Sequence, residues 1–159
     1  LMLAFLLYEK TQKEVLRVFN MLEYELGNEL FEKTFPIILT DNGTEFGNPL
    51  SLEFNPEGIG RTRIFYCDPR ASYQKGMIEK NHEFIRYVLP KGTPFEGLLQ
   101  TDINLMINHI NSLGRESLNW FSPYDVAKLL MGKETLKKLN LVKIPTDEIQ
   151  LNKKLLKKN

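Results

Sequence analysis

Apolar residues fall into short blocks whose spacing changes along the chain, and each block predicts an element. Leu1 to Leu7 is a continuous apolar run of strand length. Thr11 then offers an N-cap with Glu14 three positions on, a capping box. Val15, Leu16, Phe19, Leu22 and Leu26 recur at helical spacing up to Gly27, predicting an amphipathic helix. Phe31 to Phe35 leads through Pro36 into Ile37-Ile38-Leu39, which reads as a buried strand with Asp41 just past its carboxyl end. Gly43, Gly47, Pro49, Pro56, Gly58 and Gly60 punctuate a surface loop before a second strand candidate, Arg63 to Tyr66.

The second half is predicted to be helical. One helix runs from Gly76 or Met77 to Leu89, where Pro90 stops it. Ile78, Ile85, Val88 and Leu89 would face its core, while Glu79, His82, Glu83 and Arg86 share another face. A further amphipathic helix is marked by Leu98, Ile103, Met106, Ile107 and Ile110, followed by a polar link from Asn111 to Asn119. Ser122 can cap a short helix that has Pro123 at its first position and ends near Gly132.

Composition changes this picture little. At 42% hydrophobic and 26% charged residues the chain has an ordinary soluble make-up, with one domain as the starting expectation. Its 159 residues are enough for a core without disulfides, and a single cysteine, Cys67, excludes an internal one and suits a reducing cytosol. No stretch reaches the apolar length of a membrane span, so the expectation is a soluble cytoplasmic protein that meets no membrane. Charge is uneven: from Lys133 to Asn159 eight lysines face Glu134, Asp147 and Glu148, a balance of +5 against −4 for residues 1–132. That lysine-rich tail, 133–159, reads as a solvated amphipathic or frayed end or as a nucleic-acid contact.

The candidate chemistry lies between Ile37 and Arg86. Asp41 and Glu79, with 37 residues between them, are two acids on different elements that could share a divalent ion. Mg²⁺ takes oxygen ligands and keeps several waters, so a few carboxylates suffice while a substrate phosphate completes the shell. Lys75, Lys80, Arg86 and Lys91 bracket Glu79, a clustering that suits a phosphate backbone. Plainer readings stand beside these. Asp41-Asn42-Gly43 is also an ordinary tight turn, Glu79 a solvated acid near a helix start, and the cations scattered surface charges. His82 reads as a polar helix residue or a phosphate contact rather than a metal ligand.

The ordered series is more specific than its parts. Thr40-Asp41-Asn42-Gly43-Thr44-Glu45-Phe46 is followed by Tyr66-Cys67-Asp68-Pro69 with Ser72, Gln74, Lys75, Gly76 and Glu79. Ile85-Arg86, Leu89-Pro90-Lys91-Gly92, Asn111 and Ser122-Pro123-Tyr124 complete it. The series resembles the catalytic core of DDE insertion-sequence transposases, a superfamily shared with retroviral integrases, and within it the insertion-sequence branch numbered thirty. The resemblance implies an α/β, ribonuclease-H-like fold over residues 1–132 with C-terminal helices, and a triad binding two Mg²⁺ or Mn²⁺ ions. Asp41 matches the second acid, Glu79 the third, and Arg86 the basic residue that meets DNA two turns later. Asn42 and Gly43 match the turn beside the second acid, Lys91 the Pro-Lys-Gly step, and Glu45, Asp68 and Glu83 are further acids that could support the site, as Asn42 and His82 could.

The implied activity is DNA transposition or integration by hydrolytic nicking and strand transfer. The implied partners are transposon ends, target DNA and further copies of the chain, in a bacterial, DNA-associated setting. No residue matches the first acid: Leu1 to Leu7 resembles the family's third strand, and Glu9 and Glu14 follow it. The expectation is therefore a core incomplete at its amino terminus. Two other readings are a non-catalytic remnant that binds nucleic acid or transposase subunits, and a nuclease of the same fold.

Overall fold

The computed structural model describes residues 1–68 and 76–156, the side chains of 76–80 excepted. Seven helices and two strands are found among these residues. The chain divides into two compact units, one of residues Leu7–Gln74 and one of Leu1–Leu6 with Lys75–Asn159.

The unit spanning Leu7–Gln74 opens with α1, Gln12–Leu26. The Thr11 side chain accepts a hydrogen bond from the Glu14 amide and caps it, and Gly27 ends it at a φ of 81°, a value that favours glycine. The predicted box closes differently: the Glu14 carboxylate accepts from the Tyr8 amide at 3.1 Å and pairs with Arg17. A short α2, Asn28–Thr34, carries Phe31 into the core against Phe19 and Phe35. Strand β1, Ile37–Thr40, then pairs in parallel with β2, Arg63–Tyr66, in the register Ile38 to Ile64 and Thr40 to Tyr66.

The connection between the strands is more ordered than its Gly and Pro content predicts. It holds a 3₁₀ turn at Thr44–Phe46 and α3, Pro49–Glu53, which packs on α1 and β2. The reading of β1 as a buried strand needs correction: Ile37 is 64% and Leu39 45% exposed. Strand alternation explains this, because Ile64 and Thr40 turn inward whereas Ile37, Leu39 and Phe65 lie on the open face of a two-stranded sheet.

An arginine holds this unit together. Arg61 is fully buried and donates from Nη1 to Glu23 Oε2 and Asn20 Oδ1, each at 2.7 Å. It also donates from Nε to the Leu52 carbonyl at 2.9 Å and from Nη2 to the Ser51 carbonyl at 3.0 Å. Its guanidinium lies 5.6 Å from the Phe19 ring centre and 5.9 Å from that of Phe31. One planar cation thereby ties α1, α2 and α3 to the segment leading into β2.

In the other unit the predicted helices appear as α4, Gly76–Val88, α5, Gln100–Ser112, and α6, Pro123–Met131, with a further α7 at Lys133–Lys138. Of the positions that helical spacing predicts, Val88, Ile103, Met106, Ile107 and Ile110 are buried and Ile85, Leu89 and Leu98 half-buried, and Tyr124 and Leu136 join this core. Ser122 and Asp125 form a reciprocal capping box on α6. The tail is amphipathic: Leu136, Leu139 and Leu141 are buried while Lys133, Lys137 and Lys138 are exposed.

Two expectations fail in this unit. Residues 1–7 form no strand. The Met2 amide donates to Asn111 Oδ1 at 2.9 Å, and Asn111 Nδ2 returns a bond to the Met2 carbonyl at 2.7 Å. The Leu6 amide donates to Gln100 Oε1, and Gln100 Nε2 donates to the Ala4 carbonyl, each at 2.9 Å. Two amide side chains of α5 thus do what a neighbouring strand would do for alternate backbone groups. For the same reason Asn111, placed by sequence in a polar link, is fully buried.

Candidate functional site

Parallel pairing sets the carboxyl ends of β1 and β2 side by side, the edge where open α/β sheets gather their chemistry. The Cys67 amide donates to the Thr40 carbonyl at 2.8 Å, so Asp41 and Asp68 follow directly on neighbouring strand ends. Both acids are exposed, while Thr40 and Cys67 beneath them are buried. Asn42 Nδ2 donates to the Cys67 carbonyl at 3.4 Å and ties the two ends together.

The turn after Asp41 is not the positive-φ Asn-Gly hairpin that the tripeptide alone allows. The strands it joins are parallel, and Gly43 is extended at φ −62° and ψ 143°. The Gly43 amide donates to Asp41 Oδ1 at 3.3 Å, holding the carboxylate over the turn. A β-carbon at Gly43 would lie 2.7 Å from Glu45 Oε2, so a larger residue here requires the Glu45 carboxylate to move. Glu45 therefore folds its carboxylate back onto the turn that carries Asp41. Its Oε1 pairs with Lys10 at 3.4 Å, while its Oε2 is buried with no hydrogen-bond partner among the described residues.

Glu79 lies in the first turns of α4, in the other unit, and its side chain is outside the described residues, as is that of Lys80. Lys75 also falls outside them. His82, Glu83 and Arg86 on α4 are all exposed, as is Lys91 beyond it. Asp41 and Asn42 thus belong to one unit, and Glu79, His82, Arg86 and Lys91 to the other.

Two arginines escape sequence reasoning. Arg61 has no periodic or motif signal. Arg115, in the supposed polar link, donates from Nη1 to Asn81 Oδ1 at 2.8 Å and lies 4.8 Å from the Phe84 ring centre. It thereby braces α4 two residues beyond Glu79.

Among the described residues no three His, Cys, Asp or Glu side chains stand together as a cage for an ion. The acids at the strand ends are nevertheless hard oxygen donors of the kind Mg²⁺ and Mn²⁺ accept, and Glu45 Oε2 is a buried acceptor with capacity to spare. No helix among the described residues is long and apolar enough to cross a membrane.

Comparison with known proteins adds a direction. No family model and no solved structure matches the chain. It is 32% identical over 73 residues to the transposase of insertion sequence element IS1086 of Cupriavidus metallidurans, covering 46% of this chain and 22% of that protein. With the ORF3 protein of Spiroplasma virus SpV1-R8A2 B, named as an integrase, identity is 34% over 119 residues, 75% of this chain and 35% of the relative. The InsI transposase of element IS30A of Escherichia coli K12 is 27% identical over 86 residues, 54% of this chain and 21% of its own length. The chain thus spans between about a fifth and a third of the length of these curated relatives. Over these partial regions, the chain is a distant homologue of insertion-sequence transposases and of a viral integrase.

Proposed function

We propose that this chain is part of the catalytic core of a DDE transposase or integrase that cuts and joins DNA with divalent cations. The observation that supports it most is the parallel β1–β2 pair carrying Thr40-Asp41-Asn42-Gly43 at its carboxyl end, together with the relatives' names. In a ribonuclease-H-like reading, β1 and β2 correspond to the fourth and fifth strands of the family sheet.

In this reading Asp41 and Glu79 hold Mg²⁺ or Mn²⁺. When bound, such ions activate a hydroxyl nucleophile and neutralise charge at the phosphorus. The Gly43 amide and the Asn42 side chain fix the strand end that presents Asp41. Glu45 adds negative potential beside it, which favours a bound cation. Arg86 and Lys91, with Lys75 and Lys80, meet DNA phosphates and set register rather than sequence choice.

The first acid of the triad is not recognised in this sequence, so the test supplies the remaining core segment, in cis or in trans. Metal-dependent nicking of supercoiled DNA is expected from that assembly. It is expected to be lost in Asp41→Asn and in Glu79→Gln, with far-ultraviolet circular dichroism unchanged. Absence of metal-dependent nicking, or wild-type rates in both variants, overturns the proposal.

A further inference from the structure

A cleft of about 480 Å³ lies at the end of α4, and its lining includes the apolar Val88, Leu98 and Leu156 and the polar Lys91, Thr93 and Lys153. Its size and its mixture of apolar wall and few polar groups are those of a small-ligand site.

The two lysines are presented by similar devices. In Pro90-Lys91-Gly92-Thr93 the Thr93 amide donates to the Pro90 carbonyl at 3.0 Å, and Gly92 takes the φ of 84° that places Lys91 on the tip. In Asn152-Lys153-Lys154-Leu155 the Leu155 amide donates to the Asn152 carbonyl at 3.2 Å. Asn152 Oδ1 accepts from the Lys154 amide at 2.8 Å and firms that second turn. Each lysine is the second residue of a closed turn, and among the described residues no acidic side chain lines the cleft.

We infer that this cleft binds one unpaired nucleotide of a single-stranded nucleic acid, its base against Val88, Leu98 and Leu156 and its phosphate between Lys91 and Lys153. Charge fixes the anion: two ammonium groups with no carboxylate among the lining residues attract a phosphate. The apolar wall fixes the rest, because inorganic phosphate has nothing to place against three aliphatic side chains. An unpaired base has a free face to bury, whereas in a duplex both faces are stacked on neighbouring pairs. The inference rests on the nucleic-acid reading above but not on Asp41 or Glu79, and it gives the lysine-rich tail a specific role through Lys153.

The test is fluorescence anisotropy of the full chain with a labelled oligothymidylate and, separately, a blunt-ended duplex without unpaired nucleotides, over a range of salt and without divalent ions. Lys91→Ala and Lys153→Ala are each expected to weaken single-strand binding about fivefold near 0.1 M salt, and the double variant to flatten the salt dependence by about 0.7 of a log unit per log unit, the share of one phosphate. Lys154→Ala, which removes the same charge from the same turn but does not line the cleft, is expected to leave binding unchanged. Equal losses in Lys153→Ala and Lys154→Ala, or duplex bound as tightly as single strand, overturn the cleft. Single-strand binding unaffected by Lys91→Ala and Lys153→Ala overturns it as well. If Asp41→Asn and Glu79→Gln leave nicking intact while Lys153→Ala weakens strand binding and Lys154→Ala does not, the metal reading falls and the cleft stands. The reverse pattern removes the cleft alone.

Discussion

Arg61 shows how much one side chain can decide. Its guanidinium is fully buried, and its Glu23 partner is almost so. Removing one member of such a pair leaves the other as an unpaired charge out of water, at a cost of about 3–5 kcal/mol. Arg61→Met is therefore expected to lower stability by about that amount in urea unfolding. Arg61→Lys is expected to recover little, because an ammonium lacks the planar fork that meets Asn20, Glu23, Ser51 and Leu52 together. A loss below about 0.5 kcal/mol in Arg61→Met would contradict the hub. His109 acts through pH instead. It is buried, and its Nδ1 accepts from the Gln150 amide at 3.1 Å, so the neutral ring is the one that fits. Burial holds its pKa below the usual histidine range, only partly opposed by the Glu148 carboxylate. The unfolded chain then binds the proton more readily than the folded one, so this contribution is complete above about pH 6.5 and is lost as pH falls below it. Melting temperature is expected to drop on acidification through that window, and His109→Gln to flatten the slope, His82 being the other histidine and exposed. An unchanged slope in His109→Gln would remove His109 as its source.

At the scale of elements, legibility followed the strength of local signals. Helices α1 and α6 could be read from Thr11, Gly27, Ser122 and Pro123, because caps and periodic apolar residues agree there. β1 and β2 could be read from short apolar or aromatic runs, and Asp41 at the strand end followed from them. Residues 1–7 could not, since a continuous apolar run states a wish for burial without naming the partner. Asn111 and Gln100, which supply that partner, are about a hundred positions away and look like surface amides in the sequence. α3 was hidden because one turn between glycines and prolines carries no period. The exposure of Ile37 and Leu39 was also hidden, because burial of a strand face depends on how many layers cover it. Arg61 and Arg115 were missed for a related reason: a lone arginine has the same appearance in sequence whether it is solvated or sealed among aromatic rings.

For the whole molecule, the positive charge gathered in residues 133–159 and the acids at the β1 and β2 ends separate two kinds of chemistry, one attracting phosphate and the other cations. The candidate acids were legible only through the ordered motif series, because neither Asp41 nor Glu79 carries a distinctive local signal. The central claim is that these two acids hold divalent ions, and isothermal titration of the chain with Mn²⁺ tests it most directly. The account predicts a binding heat that disappears in both Asp41→Asn and Glu79→Gln while the fold persists. Absence of binding, or binding indifferent to both substitutions, would contradict it.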